Sequence, residues 1–132
     1  MSVPLAHFRK ALIPTFNSVE VIYVADIIYL EALENYCKVH LHQGETIVST
    51  YSFGAVLTML EDEPFFRSHK SFAVHLPYIR RYLKTLEIVL TCGKLIPVAR
   101  RRKDEFLQEL QQWCSRESKC QKGKYESAYQ EK

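Results

Sequence analysis

No apolar run in this chain approaches the roughly 20 residues that a membrane-spanning helix requires. The opening MSVPLAHFRK has no apolar stretch followed by small residues, so nothing at the start resembles a secretory leader. A cytoplasmic protein that does not engage a membrane is the expectation. No CxxC pair is present, and Cys37, Cys92, Cys114 and Cys120 stand far apart, a spacing that favours reduced thiols in the cytosol. Only four glycines occur, none of them clustered as a phosphate-cradling loop. GxSxG, HExxH and a close pair of candidate acid/base carboxylates are missing as well. These absences argue against an enzyme, a cofactor and a small-molecule substrate.

Hydrophobic residues make up 47% of the 132 positions and charged residues 25%, which suits one folded domain with tails. The net charge of +3 conceals a strong internal asymmetry. Between Arg67 and Lys103, ten lysines and arginines face one acid, Glu87, whereas residues 1–66 carry three cations against eight acids. So many charges of one sign in a short segment raise the local potential and attract a polyanion, with nucleic acid the first candidate.

Residues 1–17 show no period and read as an arm or linker. From Val19 onward short runs with a period near two follow one another: VEVIYV, IIYLEA, YCKVHLH and ETIVST. In the third run Cys37, Val39 and Leu41 share one face, and Tyr36, Lys38, His40 and His42 share the other. Gln43-Gly44 supplies a turn, so the third and fourth runs are expected to pair as a hairpin. Ser52 is a suitable N-cap for a short helix whose apolar stripe is Phe53, Val56, Leu57 and Leu60, stopped before Pro64. Strand-like runs resume at FFR, FAVHL, LEIVL and LIPV, with Cys92-Gly93-Lys94 as a turn. A last helix is expected from near Arg100, docking through its second half by Phe106, Leu107, Leu110 and Trp113 or Cys114. The polar stretch 114–132 is expected to be a disordered tail. Eight to ten short strands and two small helices make a mainly β domain.

Two basic clusters stand out. In VARRRKDEF the cations Arg100, Arg101, Arg102 and Lys103 occupy the start of the last helix, where the macrodipole makes each of them unfavourable by about 0.3–1 kcal/mol unless an anion is near. A phosphate there would satisfy both the arginines and the free N–H groups. In FFRSHKSF, Arg67, His69 and Lys70 stand among the apolar anchors Phe65, Phe66 and Phe72, and carry the donors that groove edges accept.

DIIYLEALENYCKVHL, GETIVSTYSF, FFRSHKSFAVHLPYI and KLIPVARRRKDEFLQEL, in that order, resemble the successive signatures of the LytTR DNA-binding domain, the output module of bacterial response regulators. The resemblance runs from about Val19 to Leu110. It implies an elongated arrangement of small β-sheets with about ten short strands and two short helices, occupying residues 18–113. Loops would enter successive major grooves of double-stranded DNA at promoter repeats, with a second protomer beside the first. Carried onto this chain, the base-contacting positions are Asn35 or its neighbours Tyr36 and Lys38, then Lys70 beside His69, then Arg100 with Arg101 and Arg102. Arg101, Lys103 and Arg80 or Arg81 are assigned to phosphates. Two positions depart from the family pattern. Lys70 stands where relatives carry Asn, Arg or Lys, and His75 stands where they usually have Asn, leaving either a base contact or a structural bond to be found there. Most relatives also carry a receiver domain, so this chain is read as a stand-alone protein or a separated output domain.

RNA is the nearest rival partner, since Tyr23, Tyr29 and Tyr36 could stack bases, but most of these aromatics alternate as strand core and no RNP-like run accompanies them. A protein-interaction module is a further rival. A metal site on His40, His42 and Cys37 is disfavoured because Cys37 points to the opposite face. The DNA reading requires Lys70 and the Arg100 to Arg102 run to meet on one rim.

Overall fold

The structure, a computed structural model, describes residues 9–117. Ten strands follow in order: β1 (Lys10–Pro14), β2 (Val19–Tyr23), β3 (Ile27–Leu33), β4 (Tyr36–Leu41), β5 (Thr46–Ser49), β6 (Phe65–His69), β7 (Phe72–His75), β8 (Ile79–Leu83), β9 (Glu87–Leu90) and β10 (Leu95–Pro97). Helix α1 (Phe53–Met59) lies between β5 and β6, and α2 (Lys103–Glu117) follows β10 after a 3-10 turn at Arg100–Arg102. The domain is mainly β with two helices, as the alternating runs foretell.

The strands form three antiparallel sheets: β1-β2, β5-β4-β3-β7-β6 and β10-β9-β8. The five-stranded sheet is the central layer. Its middle strands β3 and β7 carry apolar residues on both faces, and the run IIYL of β3 is buried throughout. Ile27, Leu30 and Ala73 join one core with α1 and the β1–β2 hairpin, where Ile13, Val24, Val56 and Leu60 are at most 1% exposed. Ile28, Tyr29 and Val74 join a second core with β8–β10 and α2, centred on Ile88, Leu90, Ile96 and Phe106. Strand alternation sends neighbours to opposite faces, and a register shift between Ile27 and Tyr29 lets the consecutive residues Ile28 and Tyr29 both serve the second core while Ile27 and Leu30 serve the first.

Local chemistry sets the connections. Gly44 and Gly93 adopt φ of 92° and 93° in the β4–β5 and β9–β10 turns, a conformation that side chains with a Cβ resist. Ser52 caps α1 by accepting the Ala55 N–H at 3.1 Å, and Phe53, Val56 and Leu60 turn inward. Arg9 ties the start of the described chain to the turn after α1 through Asp62 at 2.6 Å and Glu63 at 2.7 Å.

Several sequence expectations need adjustment. Residues 10–14, read as part of an arm, form β1 and place Ala11 and Ile13 in the first core. IRRYL forms β8, which its two central arginines hide from a hydrophobicity scan. Helix α2 docks first through Phe106 in its opening turns, between Phe66 at 5.5 Å and Tyr82 at 5.1 Å, with the second half only partly buried. The stripe has the correct face but says nothing about which end is deepest. Positions 114–117, assigned to the tail, continue α2, and residues 118–132 lie outside the described residues, as do residues 1–8.

His75 resolves as a structural residue. It is 4% exposed, stacks on Phe65 at 4.2 Å, lies 5.8 Å from Tyr78, and its Nδ1–H donates to Ile27 O at 2.7 Å. Burial pushes its pKa below the usual imidazole value, and neither the bond to Ile27 nor the distant charge of Glu63 reverses this. The unfolded chain therefore takes up a proton before the folded one, so this contribution to stability is complete above about pH 6.5 and declines as the pH falls below it. His40, also lowered by burial, adds to the same slope. Urea titrations between pH 7.5 and 5 are expected to show the midpoint falling with pH, and His75→Asn, which keeps a donor for Ile27 O, is expected to flatten that fall. An unchanged slope in the variant would contradict the assignment.

Candidate nucleic-acid interface

Strand β6 alternates strictly: Phe66 and Ser68 point inward, Arg67 and His69 outward. Ser68 is wholly buried, and its hydroxyl donates to Pro97 O at 2.9 Å while its carbonyl accepts the Ala99 N–H at 2.8 Å. Arg102 Nε donates to Arg67 O at 2.7 Å. These three bonds join the end of β6 to the segment that follows β10, some thirty residues later in the chain. Arg67, His69 and Lys70 are thereby set beside Ala99, Arg101 and Arg102, around an open cleft of about 290 Å³. Lys70 and two of the three arginines of the Arg100 to Arg102 turn thus share one rim.

The cations of this rim are held to different degrees. Arg67 lies over the Phe53 ring at 4.8 Å and donates to Lys70 O at 2.7 Å, which shapes the β6–β7 turn. Arg102 is used three ways: over Phe66 at 4.8 Å, on Arg67 O, and against Glu105 at 3.3 Å. Lys70 and Arg101 are exposed. His69 Nδ1 accepts the Ser71 N–H at 3.1 Å, which leaves the ring proton on Nε2 as a donor. Among the described residues no carboxylate lines the cleft.

The remaining expected residues are distributed as follows. Asn35 sits exposed in the β3–β4 turn, where Glu34 takes a positive φ of 52°. Ala32 N–H donates to Ser71 O at 2.8 Å, so this turn and the β6–β7 turn adjoin at one end of the central sheet. Tyr36 begins β4 and meets Phe16 edge-on at 5.2 Å. Lys38 lies two residues further along, opposite Glu31, half-buried. Arg100 is exposed in the 3-10 turn but does not line the cleft, and Lys103 opens α2 half-buried. Arg80 and Arg81 are exposed on β8, the outer strand of the three-stranded sheet, two strands away from β10 and outside the cleft.

Sequence reasoning named Arg67 among the donors but gave it no contact, and it passed over Ser68. The inward-outward alternation of Phe66-Arg67-Ser68-His69 is the signal that would have found both. His40 and Cys37, weighed as metal ligands, do not converge. The His40 ring stacks on Tyr29 at 4.0 Å and engages Glu31 at 3.0 Å and Thr46 at 3.2 Å, while Cys37 faces the first core with its thiol pushed by burial to about 12.

A mainly β domain that gathers cations from two distant segments onto one rim presents a surface of positive potential suited to a polyanion. Residues 17–111 match the model of the LytTr DNA-binding domain, and the chain belongs to this family. It is 28% identical over 102 residues to the CO-responsive transcriptional regulator RcoM of Rhodospirillum rubrum, covering 74% of this chain and 43% of that protein, so it spans less than half the length of this curated relative. Among solved structures it is similar in fold to the LytTr DNA-binding domain of a Bacillus cereus protein described as a methyl-accepting/DNA response regulator, with a TM-score of 0.64 and 23% identity over 76% of this chain and 95% of that one.

Ser68→Ala removes the donor to a buried carbonyl and is expected to lower stability by about 1–3 kcal/mol. The measurement is the urea midpoint at pH 7.5, and a loss indistinguishable from zero would show that the joint does not depend on this hydroxyl.

Proposed function

We propose that this domain binds double-stranded DNA sequence-specifically as a bacterial transcription regulator, presenting the rim of Lys70, His69 and Arg101 to the duplex. The carrying observation is the stitched cleft, where cations from β6–β7 and from the turn before α2 stand together and, among the described residues, no acid lines the cleft. Phosphate contacts fix position and base-edge contacts specify sequence. Lys70 on the β6–β7 turn, Arg100, and the Asn35, Tyr36 and Lys38 segment are assigned to base edges in successive major grooves. Arg101 and Lys103 are assigned to phosphates, with Arg80 and Arg81 reaching the backbone further along the duplex. Arg102, bonded to Arg67 O and Glu105, acts mainly by holding the rim, with a phosphate as its remaining partner.

The reading extends to two protomers on promoter repeats and to chemistry confined to binding, without a substrate or cofactor. Support comes from the family, from the transcriptional regulator among its relatives, and from the cation distribution.

The test uses duplexes selected from random sequence for binding to the chain, followed by fluorescence anisotropy on the selected duplex and on a scrambled one. Lys70→Ala and Arg100→Ala are each expected to weaken the selected duplex by about 1–3 kcal/mol and to relax sequence preference, whereas Arg101→Ala weakens both duplexes alike and lowers the salt slope by about 1. Equal losses on both duplexes for all three variants would refute this division of roles. Failure to enrich any duplex would refute sequence-specific binding itself.

A further inference from the structure

The turn between β1 and β2 carries Phe16, which at 70% is the most exposed large apolar side chain among the described residues and belongs to neither core. A lone exposed ring is ordinary in itself. Phe16 differs in how firmly its surroundings place it. Thr15 N–H donates to Ser18 O at 2.8 Å, the Thr15 and Ser18 hydroxyls bond at 2.7 Å, and Asn17 N–H donates to the Thr15 hydroxyl at 3.3 Å, so the turn is closed on itself. Thr50 N–H donates to Pro14 O at 2.9 Å and ties the turn to the end of β5. The ring meets Tyr36 edge-on at 5.2 Å, at the start of β4. Phe16 therefore stands at the end of the central sheet where Asn35 of the β3–β4 turn lies exposed, and where the Ala32 to Ser71 bond brings in the β6–β7 turn of Lys70.

We infer that Phe16 packs on the 5-methyl group of a thymine, so that the chain selects an A·T pair beside the position contacted from the β3–β4 turn. The turn Pro14-Thr15-Phe16-Asn17-Ser18 holds no cation, and the nearby Glu20 accepts the Ser18 hydroxyl at 2.9 Å, which makes phosphates poor partners here. On the base edges of the major groove the apolar target for a phenylalanine ring is the thymine methyl. Successive base pairs are about 3.4 Å apart along a strand, so a ring 5.2 Å from that of Tyr36 falls roughly one to two steps from the bases that Tyr36 and Asn35 meet. The braced turn favours such a contact, because a side chain already fixed in place loses little freedom on binding. The inference rests on the DNA-binding reading above and deepens it by a specificity-determining residue outside both basic clusters.

The test uses the full 132-residue chain and the duplex selected for it, with each thymine replaced singly by deoxyuridine, which removes the methyl and keeps the base pairing. For the wild-type chain, replacement of one particular thymine is expected to weaken binding about fourfold, the worth of one buried methyl. Phe16→Ser is expected to bind the thymine duplex more weakly and to show no difference between thymine and deoxyuridine at that position. Phe16→Leu is expected to keep part of the difference, since leucine covers a methyl without an aromatic edge for Tyr36. Both variants are expected to retain the wild-type circular dichroism, the position being exposed. A wild-type chain indifferent to every thymine methyl, or a Phe16→Ser variant with the full difference, would overturn the inference. A leucine variant as blind to the methyl as the serine one would overturn it too, because the ring would then act through Tyr36. In each of these cases the selected duplex is still bound and the DNA-binding reading stands, whereas failure to enrich any duplex would remove that reading and this inference with it.

Discussion

Ser68 is the point on which the arrangement of the basic rim depends. Its hydroxyl and carbonyl both bond to the segment leaving β10, inside protein where each unmet polar group would be costly. With Arg102 reaching Arg67 O, the joint fixes two loops whose positions no sheet pairing links, because β6 belongs to the five-stranded sheet and β10 to the three-stranded one. Packing supports the same joint from below. Phe106 fills the space between Phe66 and Tyr82, so α2 and the turn before it are seated against the back of β6. Like charges gathered in this way repel one another, and the fold tolerates them through aromatic faces under Arg67 and Arg102 and through Glu105 beside Arg102.

The division of labour between rigid and exposed cations follows from that seating. Arg67 and Arg102 give their guanidinium groups largely to carbonyls and rings of the protein, which leaves them poorly placed to discriminate bases but well placed to hold a shape. Lys70 and Arg101 extend from positions their neighbours have already fixed, so less conformational entropy is lost when they meet a partner. The adjoining β3–β4 turn, held by the Ala32 to Ser71 bond, brings Asn35 to the same end of the sheet without lining the cleft.

Much of this was legible in the sequence, for identifiable reasons. Period-two runs such as YCKVHL declare both their strand character and their inward face, and Ser52 and Gly44 declare a cap and a turn by chemistry that needs no tertiary context. Elements overlooked were those whose burial pattern is one-sided or interrupted: β1, where Pro14 and an exposed Leu12 blur the alternation, and β8, where Arg80 and Arg81 do. The site was legible as two basic clusters but not as a joint. Ser68 looks like any strand serine until Pro97 is found opposite it, and the retreat of Arg80 and Arg81 to an outer strand depends on a sheet order that composition does not encode. His75 is compatible in the sequence with two roles, and only the carbonyl of Ile27 at 2.7 Å decides for structure.

The sandwiching of β3 and β7 between two apolar layers has a kinetic corollary. Neither layer has a sheet of its own wide enough to persist alone, so loss of one exposes half of the strands that support the other, and opening of either core should be felt by both. Amide protons at the centre of Ile27–Leu33 and Phe72–His75 would then exchange with solvent only through global unfolding, while those of the outlying hairpin exchange through smaller fluctuations. A domain built this way keeps its contact loops anchored to its slowest-opening strands, so the geometry presented to a partner persists through the local breathing of its periphery.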